Sequence, residues 1–177
     1  MKISNLSENE ENKEITQLPK TFAWLSSITL ISVVVCTVFI PHGHSLVMRI
    51  VGVSFLVVAP FFIFIPFYLL QKHGYGKDGD NYMQAMRVVD KGLYTITRHP
   101  QYLGYMLMSI GFAGITQHWV VYLLTAFCVV FFYVQSVQEE KYCAARFGEP
   151  YNQYLNRVPR FNIISGVWRN LRGKKND

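Results

Sequence analysis

Two short clusters in this sequence carry side chains able to do chemistry. One is Thr97-Arg98-His99-Pro100-Gln101-Tyr102, and the other is Glu139-Glu140 followed by Lys141. Pro100 suits the first position of a helix, because its missing N–H would have no partner there. His99, just before it, is pushed out of the helical region. The unpaired N–H groups and the positive dipole end of that helix then converge on the polar cluster, which favours an anionic group such as a carboxylate. Glu139 and Glu140 are read at the C-terminus of another helix, where acidic side chains oppose the dipole at a cost of about a few tenths of a kcal/mol. They read either as a solvated end beside Lys141, or as carboxylates aimed at a cation or a transferable proton.

The elements that must position these clusters are membrane helices. The chain has 177 residues, of which 51% are hydrophobic, 15% aromatic and only 16% charged. That is too apolar and too charge-poor for an ordinary soluble domain. The apolar residues are bunched into Phe22–Ile40, Leu46–Leu70, Tyr102–Ile115 and Trp119–Ser136. The first two reach the roughly 20 residues that cross a bilayer, and a turn at the interface extends each of the other two. The expected fold class is therefore all-α: a polytopic membrane helix bundle of about four transmembrane helices plus a cytoplasmic C-terminal amphipathic helix. Residues 1–20 read as a disordered polar tail rather than a signal peptide, 21–165 as the membrane domain and 166–177 as a basic tail. Pro41–Ser45 and Thr116–His118 contain no Lys or Arg, whereas the N-terminal tail has three, Gln71–Gln101 five and the chain after Ser136 eight. That bias predicts both termini and the long middle loop on the cytoplasmic side. The net charge of +6 then points to membrane lipids as partners and not to nucleic acid.

Other features read as structural. Cys36, Cys128 and Cys143 form no CxxC pair and are expected to be free thiols. His42 and His44 in "PHGHS" make a poor metal site, so no metal is expected. Pro60 and Pro66 favour a bend in the second helix, either for packing or to open a cavity. "QKHGYGKDGDNYMQ", Gln71–Gln84, matches no phosphate loop and reads as a mobile cytoplasmic loop. Tyr142, Phe147, Tyr151 and Tyr154 are expected on one face of an interfacial helix packing on lipid.

Taken together, "GLYTITRHPQYLG" and "EEKYCAARFGEPYNQYLNRVP" resemble the isoprenylcysteine carboxyl methyltransferase and phospholipid methyltransferase superfamily of integral membrane enzymes. The shared pattern is Gly-x-Tyr, Arg-His-Pro-x-Tyr-x-Gly, a helical hairpin, Glu-Glu, then Phe-Gly-x-x-Tyr-x-x-Tyr with Arg-Val-Pro. It runs from about Met86 to Pro159, under half the chain. The resemblance implies S-adenosyl-L-methionine as cofactor, lined by Met86, Arg87, Val88, Val89, Tyr94, His99, Pro100, Gln101 and Tyr102. It places Glu139 on the acceptor side as base or orienter, Glu140 in support, and Arg157 on the cofactor or an acceptor anion. The implied acceptor is a lipophilic or lipid-anchored small molecule that reaches the site from the bilayer.

Two positions depart from isoprenylcysteine enzymes: Met86 stands where they carry His, and Gln135 where they carry an Arg one turn before the Glu pair. Also, "RFNII" follows "RVP" in place of Gly-Leu-Pro. A neutral Gln135 implies a non-carboxylate acceptor. Two rival readings remain: a sterol-reductase-like enzyme using NADPH on a similar scaffold, and a non-catalytic small transporter. The absence of a charge in the middle of any apolar run speaks against the transporter.

Overall fold

The computed structural model describes residues 20–73 and 88–173. Six helices and one 3₁₀ turn follow in order: α1 (Lys20–Phe39), α2 (Leu46–His73), the 3₁₀ turn (Gly92–Thr95), α3 (Pro100–Thr116), α4 (Trp119–Phe147), α5 (Glu149–Arg157) and α6 (Ile163–Gly173). No strand occurs among the described residues. The tail over 1–20 (save Lys20, which begins α1), the loop beyond His73, and Met86 and Arg87 lie outside the described residues.

The long helices are apolar around most of their circumference, which is stable only where the surroundings are apolar too. Trp24, Val38, Phe39, Leu46, Val57, Phe61 and Phe64 are each 60% or more exposed, a surface suited to hydrocarbon and not to water. The chain is a membrane protein. Thr21–Phe39, Leu46–Lys72 and Trp119–Phe147 are long and apolar enough to cross a bilayer. The fourth expected span, α3, has 17 residues. At 1.5 Å per residue it rises about 26 Å, a little less than the roughly 30 Å of hydrocarbon.

Both tight turns lie at one end of the bundle, the turn end. Gln117 closes α3 in a left-handed conformation, φ 54°. Its side chain clasps the other turn: Ser45 N donates to Gln117 Oε1 at 2.9 Å, and Gln117 Nε2 donates to Ser45 O at 2.8 Å. Gly43 N donates to Thr116 O at 2.9 Å. Below the clasp, α2 and α3 meet backbone to backbone. A Cβ on Gly52 would stand 2.7 Å from Gly111 O, and one on Gly114 3.0 Å from the Gly52 Cα. Small residues at a helix seam permit this close approach, which supplies the dispersion attraction that holds helices together in lipid. Pro60 and Pro66 sit inside α2 without ending it. α1 packs on α4 through Val33 and Val121.

Two expectations change at the opposite end. α4 continues to Phe147, so Glu139 and Glu140 lie two turns inside the helix and not at its C-terminus. The aromatic set also turns inward. Gly148, with φ 62°, redirects the chain after α4, and α5 folds back over Val88 and Phe147. Tyr151 and Tyr154 are buried, with Tyr154 Oη donating to Tyr94 O at 2.8 Å. Burial pushes both phenols above their ordinary range. The amphipathic helix with an apolar face outward is α6, which crosses the boundary at residue 166 where a basic tail was expected to begin.

Candidate functional site

The end opposite the turns gathers the charged side chains. His99 is the N-cap residue of α3, but its side chain does not cap that helix. The imidazole, 7% exposed, reaches α4. Nε2 lies 3.1 Å from Glu140 Oε1, a hydrogen bond, and Nδ1 lies 3.6 Å from Glu139 Oε2, an ion-pair distance. Burial lowers the affinity of His99 for a proton, but the hydrogen bonds and charges of Glu139 and Glu140 outweigh it, so its pKa is raised. With a carboxylate facing each ring nitrogen, the imidazolium is the favoured form.

Two backbone staples bring arginines to the same place. Thr97 Oγ1 donates to Arg160 O at 2.6 Å, and Arg98 N donates to Pro159 O at 3.0 Å. Arg98 and Arg160 thereby flank Glu140. Arg98 Nη1 is 3.1 Å from Glu140 Oε1, and Arg160 grips both carboxylate oxygens, through Nε at 2.9 Å and through Nη2. Bidentate pairing of this kind fixes direction as well as charge. It also raises the Arg160 pKa. Arg160 Nη1 donates to Tyr133 Oη at 3.0 Å.

Glu139 is the less committed carboxylate. Its side chain is 34% exposed against 8% for Glu140. It interacts with His99 and with the Tyr102 hydroxyl. The Tyr102 ring stacks on His99, with centroids 5.4 Å apart and planes 4° apart. Gln135 Nε2 donates to Tyr102 Oη at 3.0 Å, and Ser26 Oγ of α1 donates to Gln135 Oε1 at 2.8 Å. A chain of polar groups thus runs from α1 through α4 to α3. Two buried polar atoms in this region have no hydrogen-bond partner among the described residues: the donor Arg98 Nε and the acceptor Gln138 Oε1.

The structure brings His99, Tyr102, Glu139 and Glu140 together as one cluster. Pro100, next to His99 in sequence, is buried, as is Val89 in the segment before the 3₁₀ turn, and Val88, Tyr94 and Gln101 are half-buried. Arg157 stands elsewhere. It pairs with Asp90 at 2.6 Å on the surface, tying α5 to the segment that carries Val88 and Val89. Sequence reasoning missed three members. Arg98 stood inside the quoted motif without a role, Arg160 stood one residue past the matched pattern, and Ser26 lies in the first apolar run. The available signal was electrostatic: two adjacent carboxylates at the end of an apolar run need cations, and a single His is too few.

Comparison with known proteins adds to this geometry. The phospholipid methyltransferase family matches residues 47–150, more than half the chain. The chain is 33% identical over 73 residues to the protein-S-isoprenylcysteine O-methyltransferase of Schizosaccharomyces pombe, covering 41% of this chain and 31% of that protein. It is 32% identical over 74 residues to protein-S-isoprenylcysteine O-methyltransferase B of Arabidopsis thaliana, covering 41% and 38%. It is 23% identical over 91 residues to a probable 7-dehydrocholesterol reductase of Acanthamoeba polyphaga mimivirus, covering 50% and 20%. The chain thus spans well under half the length of these relatives. No solved structure matches it significantly.

Proposed function

Because the chain belongs to the phospholipid methyltransferase family, we propose that it transfers a methyl group from S-adenosyl-L-methionine to a lipophilic or lipid-anchored small acceptor in the membrane. The observation that carries this reading is the pairing, at the N-terminus of α3, of a fully engaged carboxylate, Glu140, with a half-open one, Glu139. The residues present suit the cofactor. Arg98 Nε is a buried donor with no partner among the described residues, and a carboxylate is what the methionine end would bring to it. Val88, Val89, Tyr94, His99, Pro100, Gln101 and Tyr102, with Met86 and Arg87, are the proposed wall of that site, and Arg157 holds its rim through Asp90. When bound, the cofactor supplies a methyl group on a sulfonium, so the protein must chiefly supply proximity and alignment.

The chain's own residues divide the remaining work. Arg98, Arg160 and Glu140 lock α4 to the α3 N-terminus. His99 and Tyr102 orient Glu139, which takes the proton that an amine, phenol or thiol loses on methylation. The named isoprenylcysteine relatives suggest an isoprenoid-bearing acceptor class. Gln135, however, is a neutral amide engaged at both ends, by Ser26 and Tyr102. It offers no cation to a substrate carboxylate, which favours a neutral acceptor hydroxyl or amine. The basic residues at the charged end support a cytosolic cofactor site, with both termini on that side.

The test is cofactor binding to detergent-purified protein, with S-adenosyl-L-methionine and NADPH in parallel, followed by a labelled-methyl survey of lipid extracts. His99→Ala and Tyr102→Ala are expected to weaken S-adenosyl-L-methionine binding while helix content holds. Tight NADPH binding without S-adenosyl-L-methionine binding would instead establish the reductase reading that the mimivirus relative favours. Efficient methylation of farnesylcysteine would overturn the non-carboxylate preference, and a reporter fused after Asp177 that proves external would overturn the topology.

A further inference from the structure

α6 has two faces of opposite character. On one, Gly166 rests on the Ile96 carbonyl with no room for a Cβ, and Asn170 Nδ2 donates to Thr95 Oγ1 at 2.9 Å. This face fixes the helix against the segment leading into Arg98 and His99. The second face carries Ile164, Val167, Trp168 and Leu171, at spacings i, i+3, i+4 and i+7, which makes one continuous stripe. Their exposures are 84%, 38%, 59% and 64%. Nothing among the described residues covers the stripe, and the docked face prevents the helix from rolling to hide it.

The charges around the stripe have one sign. Arg172 lies over the Trp168 ring at 4.6 Å. Arg169 Nη1 contacts the carbonyls of Asn156 and Arg157 at the end of α5. Lys174 and Lys175 follow in the sequence, and no Asp or Glu occurs from Pro150 to Asn176. A second copy of this chain would bring the same basic helix and be repelled. A surface with apolar depth and negative charge is complementary.

We propose that α6 is a docking surface for the headgroup layer of an anionic bilayer, the same bilayer crossed by the long helices. Its apolar stripe lies among the upper acyl segments, and its basic side chains lie among the phosphates. Each basic residue near such a surface contributes about 1 kcal/mol. Placement follows from continuity. α6 is attached to the residues that open α3, so it sits where the bundle emerges from lipid.

The test uses the full chain with Trp24→Phe and Trp119→Phe, which leaves Trp168 as the only indole. It is placed in nanodiscs of phosphatidylcholine alone, or with a third phosphatidylglycerol, each with and without lipids brominated near the headgroup. In the anionic discs, Trp168 emission is expected to shift to the blue and to be quenched at least twofold by bromine. Replacing Arg172, Lys174 and Lys175 by Gln should at least halve that quenching, and Val167→Ser with Leu171→Ser should abolish it. A water-exposed, unquenched Trp168 in anionic discs would overturn the proposal. So would a blue-shifted but unquenched Trp168, because that result means a protein surface covers the stripe. Equal quenching in both disc types would overturn the anionic preference.

Discussion

The two ends of the bundle are tied by opposite means. At the turn end, Gln117, Ser45, Gly43 and Thr116 are joined by neutral hydrogen bonds in which the named donors and acceptors are matched. At the charged end, Glu140 holds three cationic groups, Glu139 is part-exposed, and a buried donor and a buried acceptor have no partner among the described residues. Neutral, satisfied contacts close a structure. Charged contacts with residual valence, held in place by surrounding packing, are what a binding site requires. The comparison predicts that damage at the charged end affects function and stability together, while damage at the turn end affects stability alone.

Glu140→Gln should have the largest effect. It leaves Arg98, His99 and Arg160 facing one another without their shared anion, with an expected loss of about 3–5 kcal/mol. A lower melting temperature in detergent and loss of cofactor binding would be the readouts. A variant as stable as the wild type would show that Glu140 is not the keystone of this end. Glu139→Gln should be nearly as severe for turnover, by about a hundredfold or more, while cofactor affinity holds and melting temperature falls less than in Glu140→Gln, because only the His99 contact is lost. Full turnover would remove Glu139 from the proposed chemistry.

The pH dependence is subtler. The pKa of His99 is raised in the folded protein. The stability contributed by its contacts with Glu139 and Glu140 is therefore fully present below the unfolded value of about 6.5, and is lost as pH rises through the folded value. Melting temperature should fall on going from mildly acidic to alkaline buffer, and His99→Gln should flatten that fall. The smallest effect is expected at the turn end. Gln117→Ala removes two hydrogen bonds and should cost about 1 kcal/mol, with cofactor binding unchanged. A loss of binding there would show that the two ends are coupled.

Much of this contrast was legible in the sequence. Pro100 marks the α3 N-terminus, and the Glu pair announces itself by its adjacency to an apolar run. Lys and Arg counts separate the two ends of the bundle. What could not be read was long-range pairing. Ser26 and Gln135 are 109 positions apart, and nothing in the periodicity of either apolar run tells which of its polar residues meets another helix. Arg160 was obscured for a different reason: its role depends on the staple from Thr97 to its own carbonyl, a tertiary contact with no local signature. Of the four aromatic residues expected on one helical face, Tyr142 and Phe147 end α4 and only Tyr151 and Tyr154 lie on α5, and that pair was assigned to lipid. Periodicity identifies which residues share a side, and only the Gly148 turn decides what that side meets.

The glycine seam between α2 and α3 has a consequence for depth. Gly52 against Gly111 and Gly114, with the Gln117 clasp above them, fixes α3 to the start of α2 at the turn end of the bundle. α3 is about 4 Å shorter than the hydrocarbon is thick. With the turn end set at one bilayer surface, the whole shortfall would fall at the N-terminus of α3, at the level of His99 and Tyr102. Hydrophobic thickness therefore becomes a variable of the site. A thinner bilayer brings water to Glu139, and a thicker one submerges it. The lipid-borne acceptor proposed above would then meet the cluster without leaving the layer that dissolves it.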